Sequence, residues 1–142
     1  MKGRFLIVGA GEVGQRLSIL LAERGYDLVV VDAEVDSLQR LSGLVDAYCL
    51  RHGDGTDSHV LEAAGIRSAD AVAAVTGTDA TNLVIASLAR FECQVPKVIA
   101  RVNMMEHSWL FVPEMGVDVA LNQADLMARL IEDQIERLIQ PA

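Results

Sequence analysis

Phe5-Leu6-Ile7-Val8 runs directly into Gly9-Ala10-Gly11-Glu12-Val13-Gly14, and apolar residues then recur at Val13, Leu17, Leu20 and Leu21. The first run is short and β-branched, as strands are, while the later spacing is that of an amphipathic helix. Between them stands a G-x-G-x-x-G turn, and its position between strand and helix is more telling than its letters. Gly9 suits the tight turn, Gly11 leaves the backbone open to a pyrophosphate, and Gly14 lets the helix lie close on the sheet. Glu12 and Val13 fall in the first helical turn, where free N–H groups and the positive dipole end would face phosphates.

Working outward, short apolar runs follow at residues 28–31, 47–50, 71–75, 98–102 and 117–121, so that with 5–8 six strands are expected. Helical spacings such as Leu83, Ile85, Ala86 and Ala89 separate them. Unbroken runs like Leu28-Val29-Val30-Val31 fit strands covered on both faces, as parallel strands are. The fold class expected is α/β: a Rossmann-like doubly wound sheet of six mainly parallel strands with helices on both faces. Gly25 and Gly116 stand where helix ends take a left-handed residue. No Pro-, Gly- or Ser-rich linker interrupts the pattern, so residues 1–142 are expected to form a single domain.

Composition narrows the function. A chain of 142 residues that is 51% hydrophobic can build a core without metal or disulfide staples. Cys49 and Cys93 are isolated and read as packed thiols, and no metal site is expected. A net charge of −8 with 4% aromatic residues argues against a nucleic-acid surface. No apolar run approaches the roughly 18 residues of a spanning helix, so no direct membrane insertion is expected. The N-terminus lacks the long apolar stretch of a secretory leader, so a cytoplasmic location is expected.

Asp32 ends the second expected strand, where a carboxylate can accept from both ribose hydroxyls of an adenosine. Ala33 beside it offers no cation for a 2′-phosphate, which favours NAD or an adenine mononucleotide over NADP; capping the following helix is the lesser reading of Asp32, and the two roles are compatible. His52-Gly53-Asp54-Gly55-Thr56-Asp57 follows the third expected strand, and Thr76-Gly77-Thr78-Asp79-Ala80-Thr81-Asn82 the fourth. Both loops would line the ligand crevice, although their residues are also ordinary turn formers and helix caps. Arg101 closes the fifth expected strand, where a charge needs either a ligand anion or an acidic neighbour.

In their order, GAGEVG, VVVDA, HGDGTD, AVTGTDATN, IARV and GVDVAL closely resemble the N-terminal nucleotide-binding domain of the Trk/Ktr potassium-uptake regulators, the RCK, KTN or TrkA-N domains, over residues 3–139. The resemblance implies a cytosolic regulatory subunit, peripheral to the inner face of the membrane through its transporter. Such a subunit binds NAD(H), or ATP/ADP in some relatives, forms homodimers and larger RCK assemblies, and gates a membrane potassium-transport subunit. Carried over by motif, Gly9, Gly11 and Gly14 hold phosphates, with Glu12 and Val13 in the same turn. Asp32 with Ala33 takes the ribose, and Gly53, Asp54 and Thr56 the adenine side. Thr76, Gly77, Asp79, Asn82 and Arg101 belong to the distal half.

Glu12 departs from the basic residue common at this place in ATP-type relatives, which puts NAD(H) ahead of ATP/ADP. Many relatives also carry a C-terminal lobe, so the chain is expected to be either a short stand-alone form or a piece of a longer regulator. The rival reading is an NAD-dependent oxidoreductase or a fragment of one, and it ranks second because His52, His59 and His107 form no recognisable catalytic constellation. The segment 122–139 carries an apolar stripe at Leu126, Leu130, Ile135 and Leu138, expected either to cover the sheet edge or to meet a second copy.

Overall fold

The computed structural model describes residues 3–140; Met1, Lys2, Pro141 and Ala142, which end the expected 1–142 domain, lie outside the described residues. Six strands form one sheet: β1 Arg4–Val8, β2 Asp27–Asp32, β3 Leu50–His52, β4 Ala71–Ala74, β5 Lys97–Arg101 and β6 Val119–Leu121. Their order is β3-β2-β1-β4-β5-β6 and every pair is parallel. The helices are α1 Glu12–Glu23, α2 Val35–Gln39, α3 Ser58–Ala63, α4 Asp79–Ser87 and α5 Gln123–Ile139.

The pleat of β1 shows why both faces are covered. Leu6 and Val8 point into a core with Leu61 of α3 and Ile85 of α4, whereas Ile7 points the other way, toward Leu38 of α2 and Leu17 of α1. Strand order reverses direction between β1 and β4, and in open α/β sheets the ligand crevice lies at such a switch point, beyond the carboxyl ends of the strands. Gly25 and Gly116 both take positive φ, 77° and 93°, at the turns where a left-handed residue was expected.

Two local expectations are corrected. Residues 47–50 do not form the third strand: Ala47–Cys49 is a turn of 3-10 helix closed by the Cys49 amide on the Asp46 carbonyl, 2.9 Å, and β3 starts at Leu50. Tyr48 faces solvent there, so the apolar run is not a buried row. The last strand begins at Val119 and not at Val117, because the Val117 amide bonds back to the Val112 carbonyl at 3.2 Å.

The other correction concerns α5. None of its residues is buried, and Leu130, Ile135 and Leu138 are 63%, 54% and 84% exposed. The helix therefore does not cover the edge of its own sheet. Among the described residues no helix is long and apolar enough to cross a membrane.

Candidate nucleotide site

The glycine turn is fixed by sterics at two of its three glycines. Gly9 sits at φ 113° with its Cα against the Val75–Thr76 backbone, where a Cβ would lie 2.8 Å from the Thr76 nitrogen. At Gly14 a Cβ would fall 1.7 Å from the Gly9 carbonyl oxygen, so only glycine lets α1 start this close to β1. Gly11 differs: nothing stands within 4 Å of the place its Cβ would take. It occupies the cap position of α1, and no side chain caps that helix. The first bond there joins the Gln15 amide to the Gly11 carbonyl, 2.8 Å, which leaves the Glu12, Val13 and Gly14 amides ahead of the ladder. Partial positive charge and unused donors thus meet an open surface, the arrangement that binds phosphate.

Asp32 ties this turn to the next loop. Its Oδ2 accepts from the Ala10 amide at 2.6 Å and its Oδ1 from the Glu34 amide at 2.7 Å. Each carboxylate oxygen keeps capacity for a second donor, so ribose hydroxyls could be added without breaking these bonds. Ala33 is exposed, and its carbonyl meets the His52 Nε2 at 2.9 Å. The β3 loop is drawn in by the Gly53 amide on the Asp32 carbonyl, 3.0 Å. Gly53 packs on Val60 and Gly55 on Val8, each too closely for a Cβ. Asp54 is exposed; bonds from the Thr56 amide, 2.8 Å, and hydroxyl, 2.7 Å, hold its carboxyl below the usual range.

The loop after β4 is arranged differently. Asn82 is fully buried, its Oδ1 accepting from the Thr76 amide and hydroxyl and its Nδ2 donating to the Thr76 and Arg101 carbonyls. Asp79, 7% exposed, accepts from the Asn103 and Met104 amides at 2.6 and 3.0 Å, from the Asn103 side chain at 3.0 Å, and contacts His107 Nδ1 at 2.7 Å. Burial opposes its ionised form, yet those hydrogen bonds together hold the carboxyl below its ordinary range. Gly77 is exposed at the loop tip.

Arg101 is the loose member of this half. Its Nη2 donates to Gln123 Oε1 at 3.3 Å, and its Nε is buried without a partner among the described residues. No carboxylate there pairs with it. Sequence reasoning passed over Asn103 and Gln123, and weighed His107 only as a catalytic acid and not as the partner of Asp79. Asn103 stands two residues beyond Arg101, and a small amide at a strand's carboxyl end is a readable signal; Gln123 carries none.

A six-stranded parallel sheet with a G-x-G-x-x-G turn at its switch point and a carboxylate at the end of β2 defines a Rossmann-type nucleotide-binding fold. The TrkA-N domain family model matches residues 5–123, and the chain belongs to that family. It is 36% identical over 129 residues to the Trk system potassium uptake protein TrkA of Mycobacterium tuberculosis, covering 91% of this chain and 58% of that protein. The chain therefore spans a little over half of that relative's length. In three dimensions it resembles the NAD(P)-binding domain of an exopolyphosphatase-related protein from Archaeoglobus fulgidus, with a TM-score of 0.79, 21% identity and coverage of 96% and 99% of the two chains. It also resembles the GsuK channel bound to NAD, with a TM-score of 0.71, 25% identity and coverage of 85% of this chain and 21% of that one.

Proposed function

We propose that this chain is a nucleotide-binding regulatory domain, NAD(H) being its ligand and ATP/ADP the second choice, and that it acts on a membrane potassium-transport subunit from the cytoplasmic side. One observation carries the reading: the uncapped start of α1 faces open space at Gly11, beside a carboxylate that is fixed but not saturated. Phosphates would lie on the Glu12–Gly14 amides, the ribose on Asp32, and the adenine along Gly53, Asp54 and Thr56. The NAD of the GsuK channel and the potassium-uptake name of the mycobacterial relative support the ligand and the partner.

Asp32 itself stands where the 2′-phosphate of NADP would lie, and Ala33 beside it supplies no cation to offset the repulsion, which favours NAD over NADP. Regulation is preferred to turnover because the three histidines form no catalytic constellation with one another: His52 contacts the Ala33 carbonyl, His59 Asp57 and His107 Asp79. Gating would follow if the ligands bind two crevice geometries with unequal affinity, and a coupling of about 1–3 kcal/mol is enough. The bare face of α5 favours assembly with a second copy.

The test is mass spectrometry of the nucleotide that co-purifies with the chain, followed by calorimetry with NADH, NADPH and ADP. NADH binding well ahead of NADPH, with no steady-state NADH oxidation across a panel of small carbonyl compounds, is the expected result. An empty protein that binds none of the three defeats the proposal, and turnover at ordinary enzyme rates would replace it with the oxidoreductase reading.

A further inference from the structure

We propose that Gln123 is an internal competitor for Arg101, and that an anionic group bound in the distal half of the crevice takes this arginine away from α5. The inference rests on the nucleotide reading above and adds a regulatory contact to the same site. Arg101 ends β5, with its carbonyl held by Asn82, and in the sheet it pairs with Leu121, which leads into the Asn122 cap of α5. Its backbone is thus fixed while its guanidinium is nearly unspent: one bond of 3.3 Å to a neutral amide, and a buried Nε with no partner among the described residues.

A guanidinium gains more from an anion. Charge-assisted bonds to phosphate or carboxylate are shorter, about 2.7–2.9 Å, and roughly twice as strong as neutral ones, and they use the planar fork that includes Nε. A ligand oxygen that reaches Arg101 from the crevice would satisfy the orphaned Nε and displace Gln123. Gln123 is the first residue of α5. Beyond that turn no residue of the helix is buried, and a second anchor is Asn122, whose Nδ2 donates to the Val102 carbonyl at 2.8 Å. Losing the Arg101 contact leaves α5 hanging from the Asn122 cap, with more angular freedom. By reciprocity, whatever restrains α5 changes the affinity for the anion.

Calorimetry with NADH and ADP on Gln123 and Arg101 variants tests this, together with spin-label distances between Arg40→Cys and Arg137→Cys in protein diluted with unlabelled chain. Cys49 and Cys93 are buried and stay unlabelled. Gln123→Glu gives Arg101 an internal carboxylate and is expected to weaken nucleotide binding about tenfold. In an Arg101→Met background the same change should have no effect, since the object of competition is gone. Ligand should broaden the label distance in the wild type, and Arg101→Met should reproduce that broadening without ligand. If Arg101→Met does not fold, Arg101→Lys, which keeps charge without the fork, should abolish most of the Gln123→Glu effect. Wild-type binding that Gln123→Glu leaves unchanged, or a label distance that ligand does not move, overturns the inference while the nucleotide reading stands. A wild type that binds neither nucleotide overturns both.

Discussion

The two halves of the crevice spend similar residues in opposite ways. On the β1–β3 side Asp32 is partly exposed, accepts two backbone amides and has lone pairs left over. On the β4–β6 side Asp79 is sunk to 7% exposure and takes four contacts from Asn103, Met104 and His107, so its capacity is used by the protein itself. The first carboxylate is presented, while the second is a rivet joining α4 to the segment after β5. An acidic residue at a strand's carboxyl end is therefore not one kind of evidence, and what separates the cases is how many donors the fold has already aimed at it.

The sharpest way to break this comparison lies where the near half meets its scaffold. Gly14→Ala would place a methyl group 1.7 Å from the Gly9 oxygen, against backbone that has nowhere to go. Its expected cost is about 3 kcal/mol or more, the upper end for overpacking. Urea denaturation measures it, and a variant with wild-type stability would show that α1 does not start as tightly against β1 as described.

Asp79 comes next. Asp79→Ala leaves the Asn103 and Met104 amides without their acceptor and should cost about 2–3 kcal/mol, with a smaller effect on nucleotide affinity. The pH dependence carries a sign. Because the folded carboxyl lies below its ordinary range, its stabilisation is complete above the unfolded pKa and is lost as pH falls through the folded one. The stability gap between wild type and Asp79→Ala should thus be widest near neutrality and close on acidification below the carboxylate range. A gap that widens with acid would contradict the rivet assignment.

Asp32 should behave in reverse. Asp32→Ala is expected to weaken NADH binding tenfold or more, since about tenfold is the value of one charge-assisted bond and the ribose has two hydroxyls to lose, while costing the fold only about 1 kcal/mol. Calorimetry and denaturation on one preparation separate the two effects. An affinity unchanged from wild type would make Asp32 a second rivet and erase the contrast between the halves.

What could be read from the chain follows the same division. The sheet was legible because residues such as Val30 and Val72 must be apolar to lie between two helix layers, and that requirement is written residue by residue. The glycine turn was legible because Gly9 and Gly14 answer to steric limits that no other residue meets. The third strand was misplaced because Ala47, Tyr48 and Cys49 have the composition of a strand, whereas the Asp46 carbonyl closes a tight turn beneath them. In the distal half the sequence offered Thr76, Asp79, Asn82 and Arg101 as equals. The different standing of Asp79 and Arg101 depends on Asn103, His107 and Gln123, which arrive from 22 to 28 positions away, so that no local spacing ties them to their partners.

The smallest expected effect on stability belongs to α5, and its smallness is what makes it informative. A stripe of Leu126, Leu130, Ile135 and Leu138 suggests a helix that pays for itself by covering a core, yet every one of those side chains is exposed. Leu130→Glu combined with Ile135→Glu should therefore change the unfolding free energy of the isolated domain by no more than about 0.5 kcal/mol, as for other surface positions. If a second copy covers the stripe, the same pair should convert a dimer to a monomer in light scattering with the circular dichroism spectrum unchanged. A stability loss of several kcal/mol in a chain that is monomeric throughout would mean that α5 folds back on its own sheet in solution, and with it the contact between Arg101 and Gln123 would cease to be the helix's chief tether beside Asn122.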